Sequence, residues 1–205
     1  MPDPVAQIFA DRTLPLKQRL RQGRHGATPP GGPGVRLSIR HPLSIATIIV
    51  RGGQEAALSA QLKQRYGVPA PAPGRMEIGQ SIVLQWCGAE QYYALAEHRL
   101  EGSLYAELKD ALKGAASVSD QSHGRAVIGV SGKKARALLS KGSPVDFHPR
   151  EFPLCSAAVT QMAHVGVHVS RCGEDAFELS LFRGFSEHFW EWLTEQAEEF
   201  GYETV

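Results

Sequence analysis

The most regular hydrophobic pattern lies in the last third of the chain. Val165, Val167 and Val169 alternate with small or polar residues, as do Phe177, Leu179 and Leu181. This two-residue period predicts two half-buried strands, joined across Gly173. A four-residue period takes over elsewhere: Leu58, Leu62 and Tyr66 share one helical face, and Gly67 supplies the left-handed residue that commonly stops a helix. Before that helix, the β-branched run through Ile45, Thr47, Ile48, Ile49 and Val50 predicts a buried strand, ended by Arg51-Gly52-Gly53. After it, Pro69, Pro71 and Pro73 enforce a loop. Strands are expected over 81–86 and 92–95, joined by a turn at 87–90, then a helix capped by Ser103 that buries Leu104, Leu108 and Leu112.

The same grammar repeats downstream. Arg125–Val130 reads as a strand, and Ser131 caps a helix packing Ala135, Leu138 and Leu139 until Gly142 and Pro144 stop it. In the closing helix Ser186 is the expected N-cap, Phe185 and Trp190 occupy the staple positions, and Phe189, Leu193 and Phe200 line the inner face. Helices that follow strands in a strand-rich chain with several hairpins predict an α+β fold, with mixed or antiparallel sheets and helices packed on them. Residues 1–34 differ: Lys17, Arg19, Arg21 and Arg24 make them basic, and breakers from Thr28 to Gly34 close them. The expected organisation is a flexible arm over 1–34 with room for one helical turn at Leu16 to Leu20, then α+β halves over 35–114 and 115–205.

Composition narrows the function classes. The 205 residues carry a formal charge of +1, so no global field favours nucleic acid or an anionic membrane. Cys87, Cys155 and Cys172 form neither a disulfide framework nor a C-x-x-C pair, which fits a reducing compartment. The longest apolar run, Ser44 to Val50, is far below the ~20 residues of a membrane span. A cytoplasmic protein with no membrane and no nucleic-acid partner is expected.

Chemistry-bearing patterns are sparse. Gly129-Val-Ser-Gly-Lys-Lys134 resembles a phosphate loop, but the required early glycine is Val127 and the hydroxyl position is Lys134, so a plain strand-turn-helix corner is expected. His164 and His168 have the spacing of a helical metal pair; on a strand their α-carbons lie about 13 Å apart and cannot readily share an ion. Both are expected on the face opposite the valines, solvated or facing another subunit. Asp146 with His148, and Asp120 with His123, could form acid–base pairs, yet no nucleophile with an activating context accompanies them. Trp190 and Trp192 point about 200° apart on a helix, so one is expected outside the core, as an interface anchor or packed against the N-terminal arm. Trp190, Trp192, His164 and His168 are therefore the interface candidates; no catalytic, cofactor-binding or metal residue is assigned.

Three segments carry a resemblance. Val118-Ser-Asp120, then Gly124-Arg-Ala-Val-Ile-Gly-Val-Ser-Gly132, Ala135-Arg-Ala-Leu-Leu139 and Lys141-Gly-Ser-Pro-Val-Asp146 through Phe147-His-Pro149 form the most specific one. Trp86-Cys-Gly-Ala-Glu-Gln-Tyr-Tyr93 precedes it, with Ala89 and Tyr92 where proline and tryptophan are usual. Gln161-Met-Ala-His-Val-Gly-Val167 and Arg183-Gly-Phe-Ser186 through Phe189-Trp-Glu-Trp-Leu193 follow it. Together they resemble the gamma subunit of heterotetrameric sarcosine oxidase, a small relative of the folate-binding aminomethyltransferase fold, over about residues 36–205.

The resemblance implies a complex that oxidises sarcosine to glycine and passes the one-carbon unit to tetrahydrofolate. FAD, FMN, NAD and tetrahydrofolate would sit on other subunits, with none on this chain, which would dock a large flavoprotein subunit. The folate-using transferases carry an acidic pair in the region matching His164–Arg171, and this chain has no Asp or Glu there. Two alternatives stay open: the small subunit of an N-methylglutamate or other secondary-amine dehydrogenase, and a stand-alone folate-binding protein.

Overall fold

The structure is a computed structural model and describes residues 14–205. In chain order its elements are β1 (Gly23–His25), β2 (Val35–Ile39), β3 (Leu43–Val50), α1 (Glu55–Tyr66), β4 (Met76–Ile78), β5 (Val83–Gly88), β6 (Gln91–Glu97), α2 (Ser103–Ala111) and β7 (Ala116–Asp120). They continue with β8 (Arg125–Ser131), α3 (Ala135–Ser140), β9 (Ala157–Met162), β10 (Val165–Gly173), β11 (Ala176–Phe182), α4 (Ser186–Ala197) and β12 (Tyr202–Thr204). Two compact units result. One comprises Pro42–His123; the other joins Leu14–His41 to Gly124–Val205.

The unit of residues 42–123 holds a five-stranded antiparallel sheet in the order β4-β5-β6-β3-β7. The two-residue period of β3 sends Ala46, Ile48 and Val50 to one face, where they meet Leu58 and Leu62 of α1 and Leu104 and Leu108 of α2 in one core. Charge secures the helices to each other. Glu107 of α2 accepts from Arg65 of α1 at 2.7 Å and from Arg99 at 3.2 Å.

The second unit holds a seven-stranded sheet in the order β1-β12-β2-β8-β11-β10-β9. Only the β12–β2 pairing is parallel. The expected valine and Phe177-Leu179-Leu181 alternations do line one core with Leu138 and Leu139 of α3 and Phe189 and Leu193 of α4. Phe147, Phe152 and Phe177 pack within it, their ring centroids 5.6–6.4 Å apart.

Several local expectations are corrected. Ser103 and Ser186 are the first residues of α2 and α4, and their hydroxyls donate back to the carbonyls of Leu100 and Arg183, both at 2.7 Å. Ser131 ends β8 instead of capping α3. Phe185 is 54% exposed, so it staples nothing onto the buried Trp190. The serines bond turn carbonyls because a 3₁₀ turn (Arg183–Phe185) or a left-handed Gly102 already sets the direction of the chain there.

The expected arm also changes. Residues 1–13 lie outside the described residues, whereas 14–34 belong to the second unit. The Leu16 to Leu20 turn is present, with the amides of Arg19 and Leu20 on the Leu16 carbonyl, and Leu16 is buried in that unit's core. β1 pairs with β12, and the His25 and Tyr202 rings stack at 5.0 Å. The expected boundary at 114 also differs from the observed unit, because β7 pairs with β3.

Candidate functional site

The two carboxylate–histidine pairs are built into turns. Asp146 Oδ1 accepts from the His148 amide at 2.8 Å, and His148 Nδ1 accepts from the Arg150 amide at 3.3 Å. Asp120 Oδ1 likewise accepts from the Ser122 amide at 2.8 Å, while Ser122 Oγ bonds the Ile45 backbone. His123 turns away to Glu101, its Nε2 lying 2.5 Å from the carboxylate on an exposed surface. These contacts supply turn geometry rather than proton transfer at an enclosed centre.

The corner from Gly129 to Lys134 is a strand-turn-helix junction, as expected. The Lys134 amide donates to the Gly34 carbonyl at 3.0 Å, so one of the amides a phosphate would need is occupied. Arg136, one residue into α3, is held by Asp175 and the Glu174 carbonyl. Among the described residues, no three His, Cys, Asp or Glu side chains come together in a group that could hold a metal ion. No described helix is long and apolar enough to cross a membrane.

The interface candidates separate. Trp190 is 4% exposed and belongs to the core. Trp192 is half-buried, its ring tilted against Phe189 at 5.6 Å and so close over Gly142 that a Cβ there would meet Cη2 at 2.3 Å. Of the two, Trp190 lies in the buried core and Trp192 lies outside it, partly buried against that core. Arg19 ties the 14–20 turn to α4 through Glu187 (3.4 Å) and Glu191 (3.0 Å), and Leu16 joins the core cluster that contains Trp190.

His164 and His168 are also placed differently from one another. Ala163 and His164 both have positive φ and form the two-residue turn between β9 and β10, so His164 is an exposed turn residue rather than a strand residue. His168 does lie on the face opposite the valines, but it is 3% exposed, not solvated. Ser170, Ser180 and Val127 on that face are buried too. Alternation identified the faces correctly and mistook a covered polar face for a wet one.

Cys87 is buried, Cys155 is intermediate and Cys172 is exposed. Although part of Cys172 is exposed, burial of its sulfur, with the nearby Glu178 carboxylate, pushes the thiol up to about 11. The thiolate is the reactive form, so at pH 8 its fraction is roughly a hundredfold below that of an ordinary thiol. Alkylation of Cys172, followed by peptide mass spectrometry, is expected to accelerate with pH up to about 11; a plateau near pH 9 would contradict this environment.

With the geometry established, comparison with known proteins is decisive. The profile of the "Sarcosine oxidase, gamma subunit family" matches residues 51–199. The chain belongs to this family. It is 35% identical over 152 residues to the sarcosine oxidase subunit gamma of an Arthrobacter species, covering 73% of this chain and 70% of that one. It is 33% identical over 149 residues to the subunit gamma of Corynebacterium sp. strain U-96, covering 69% of each. A chain of the heterotetrameric sarcosine oxidase from Corynebacterium sp. U-96, solved with pyrrole 2-carboxylate, superposes with a TM-score of 0.72 at 28% identity, over 86% of this chain and 88% of that one. The glycine cleavage system aminomethyltransferase T from Bartonella henselae superposes with a TM-score of 0.69 at 17% identity, over 95% of this chain and 59% of that one. That likeness concerns the fold, and it agrees with the aminomethyltransferase-like α+β architecture expected from sequence.

Sequence reading also missed β9. Its residues, Ala157-Ala-Val-Thr-Gln-Met162, show no apolar alternation, and a two-residue turn without Asn or Gly hides the hairpin.

Proposed function

We propose that this gamma-family chain is a non-catalytic subunit that docks a large flavoprotein subunit in a complex oxidising sarcosine to glycine. The flavins FAD and FMN, NAD and tetrahydrofolate, which receives the one-carbon unit, are carried by other subunits. The observation that supports this reading most strongly is the family match over 51–199, joined to a solved relative that is part of a heterotetramer. The site geometry is compatible with a docking role. The Asp146 and Asp120 carboxylates and the His148 ring are engaged in turns, and Trp190 is spent on the chain's own core.

Co-expression of the tagged chain with the large subunits tests the proposal. The expected eluate is a yellow complex that oxidises sarcosine. A colourless, solitary chain would overturn it, and tight tetrahydrofolate binding by that solitary chain would assign it a different role.

A further inference from the structure

We infer that β9 is the docking edge, to which an extended segment of another subunit of the oxidase adds as an eighth strand. This inference rests on the subunit reading above and names the surface that carries it.

β9 closes one end of the seven-stranded sheet and pairs only with β10. The Arg171 amide donates to the Ser156 carbonyl at 2.9 Å, which sets the phase of the ladder. Ala158, Thr160 and Met162 therefore turn their N–H and C=O groups toward β10, while Ala157, Val159 and Gln161 turn theirs outward. Among the described residues, no hydrogen bond from another segment reaches these outward groups. Outward amides alternating with inward ones are the template to which an extended backbone adds.

Among the described residues, β9 is the longest of the four edge strands and the one without a charged residue. β1 has three residues including Arg24, β4 has three including Glu77, and β7 ends on Asp120. Short length and charge are the usual devices that stop strand addition. β9 has six residues with neither a charge nor a proline. Val159 is 57% exposed on it, and Leu154, just before it, is 52% exposed. An added strand with apolar, β-branched side chains at alternate positions would cover Val159 while pairing with the open backbone. The occupant is assigned to a different subunit because the solved relative is part of a heterotetramer.

Hydrogen exchange by mass spectrometry on the free chain and on the purified complex tests the inference, together with Val159→Pro and Val159→Lys. Proline at 159 removes an outward N–H and is tolerated by an edge strand, so the free variant should keep its circular dichroism and melting temperature. The expected result is fast exchange at Val159 and Gln161 in the free chain, strong protection in the complex, and at least about tenfold weaker assembly for both variants. A wild-type complex whose β9 amides still exchange fast would overturn the docking edge and leave the subunit reading intact. Protection that grows with the concentration of the chain alone would assign the edge to a second copy, which also overturns it. Failure of the wild-type chain to form any complex would defeat the subunit reading itself. The exchange data on the wild type decide the matter even if a variant misfolds.

Discussion

Replacing Gly201 with alanine is expected to destabilise the unit of residues 14–41 and 124–205 by roughly 3–4 kcal/mol, because two penalties act at one position. Gly201 has φ +64 and ψ 134, a region that side chains rarely enter. A Cβ there would also lie 2.1 Å from the Ala27 carbonyl oxygen, a backbone atom with no freedom to rotate away. The crossing matters because it fastens the N-terminal segment. The Ala27 amide donates to the Glu198 carbonyl, and the Val35 amide to the Gly201 carbonyl, on either side of β1 and β12. At about 2–4 °C per kcal/mol, the melting temperature should fall by roughly 10 °C. Trypsin should also cut faster after Arg21 and Arg24. Unchanged melting and unchanged cleavage would show that the 14–34 segment is not held at this crossing.

The second large effect is expected at Arg171, which is 5% exposed and works as a backbone clamp. Its guanidinium donates to the carbonyl of Phe152 at 2.8 Å, and to those of Gly173 at 3.2 Å and Glu174 at 2.7 and 3.2 Å. It thereby joins the irregular end of β10 to the loop that leads into β9, where the Cys155 amide also bonds the Arg171 carbonyl. Arg171→Ala leaves the buried Phe152 carbonyl without its donor and loosens the part-buried turn at Gly173 and Glu174, whose carbonyl Arg136 still reaches, so a loss of roughly 2–3 kcal/mol is expected. Arg171→Lys should recover only part of it, because an ammonium cannot reproduce the planar fork. Denaturant titration of both variants measures this directly. Equal stability of the alanine variant and the wild type would contradict the clamp.

Which features the sequence could reveal follows from how far each side chain's role depends on distant partners. β10 and β11 were legible because Val165-Val167-Val169 and Phe177-Leu179-Leu181 report their own burial by alternation. α1 was legible for the same reason, from Leu58, Leu62 and Tyr66 to Gly67. The three-residue strands β1, β4 and β12 exist only through their partners, and no local period announces them. The family was legible because its motifs are local runs, as the match over 51–199 confirms.

The interface candidates were harder. The geometry of one helix could place one of Trp190 and Trp192 outside the core without saying which; the structure buries Trp190 in the core that Leu16 joins, leaves Trp192 partly buried against it, and ties Arg19 to α4. His168 was misjudged because a buried polar strand face has the same sequence pattern as a solvated one. β9 escaped for the opposite reason. An edge strand without alternation carries its information in backbone groups, which every sequence shares.

Sedimentation of the purified chain with gamma-depleted large subunits, followed by flavin absorbance, tests the central claim most directly. The account predicts that the flavin boundary moves to a faster-sedimenting species that contains this chain and saturates at a fixed ratio. A flavin boundary that stays in place at every ratio, with a properly folded chain sedimenting alone, would contradict it.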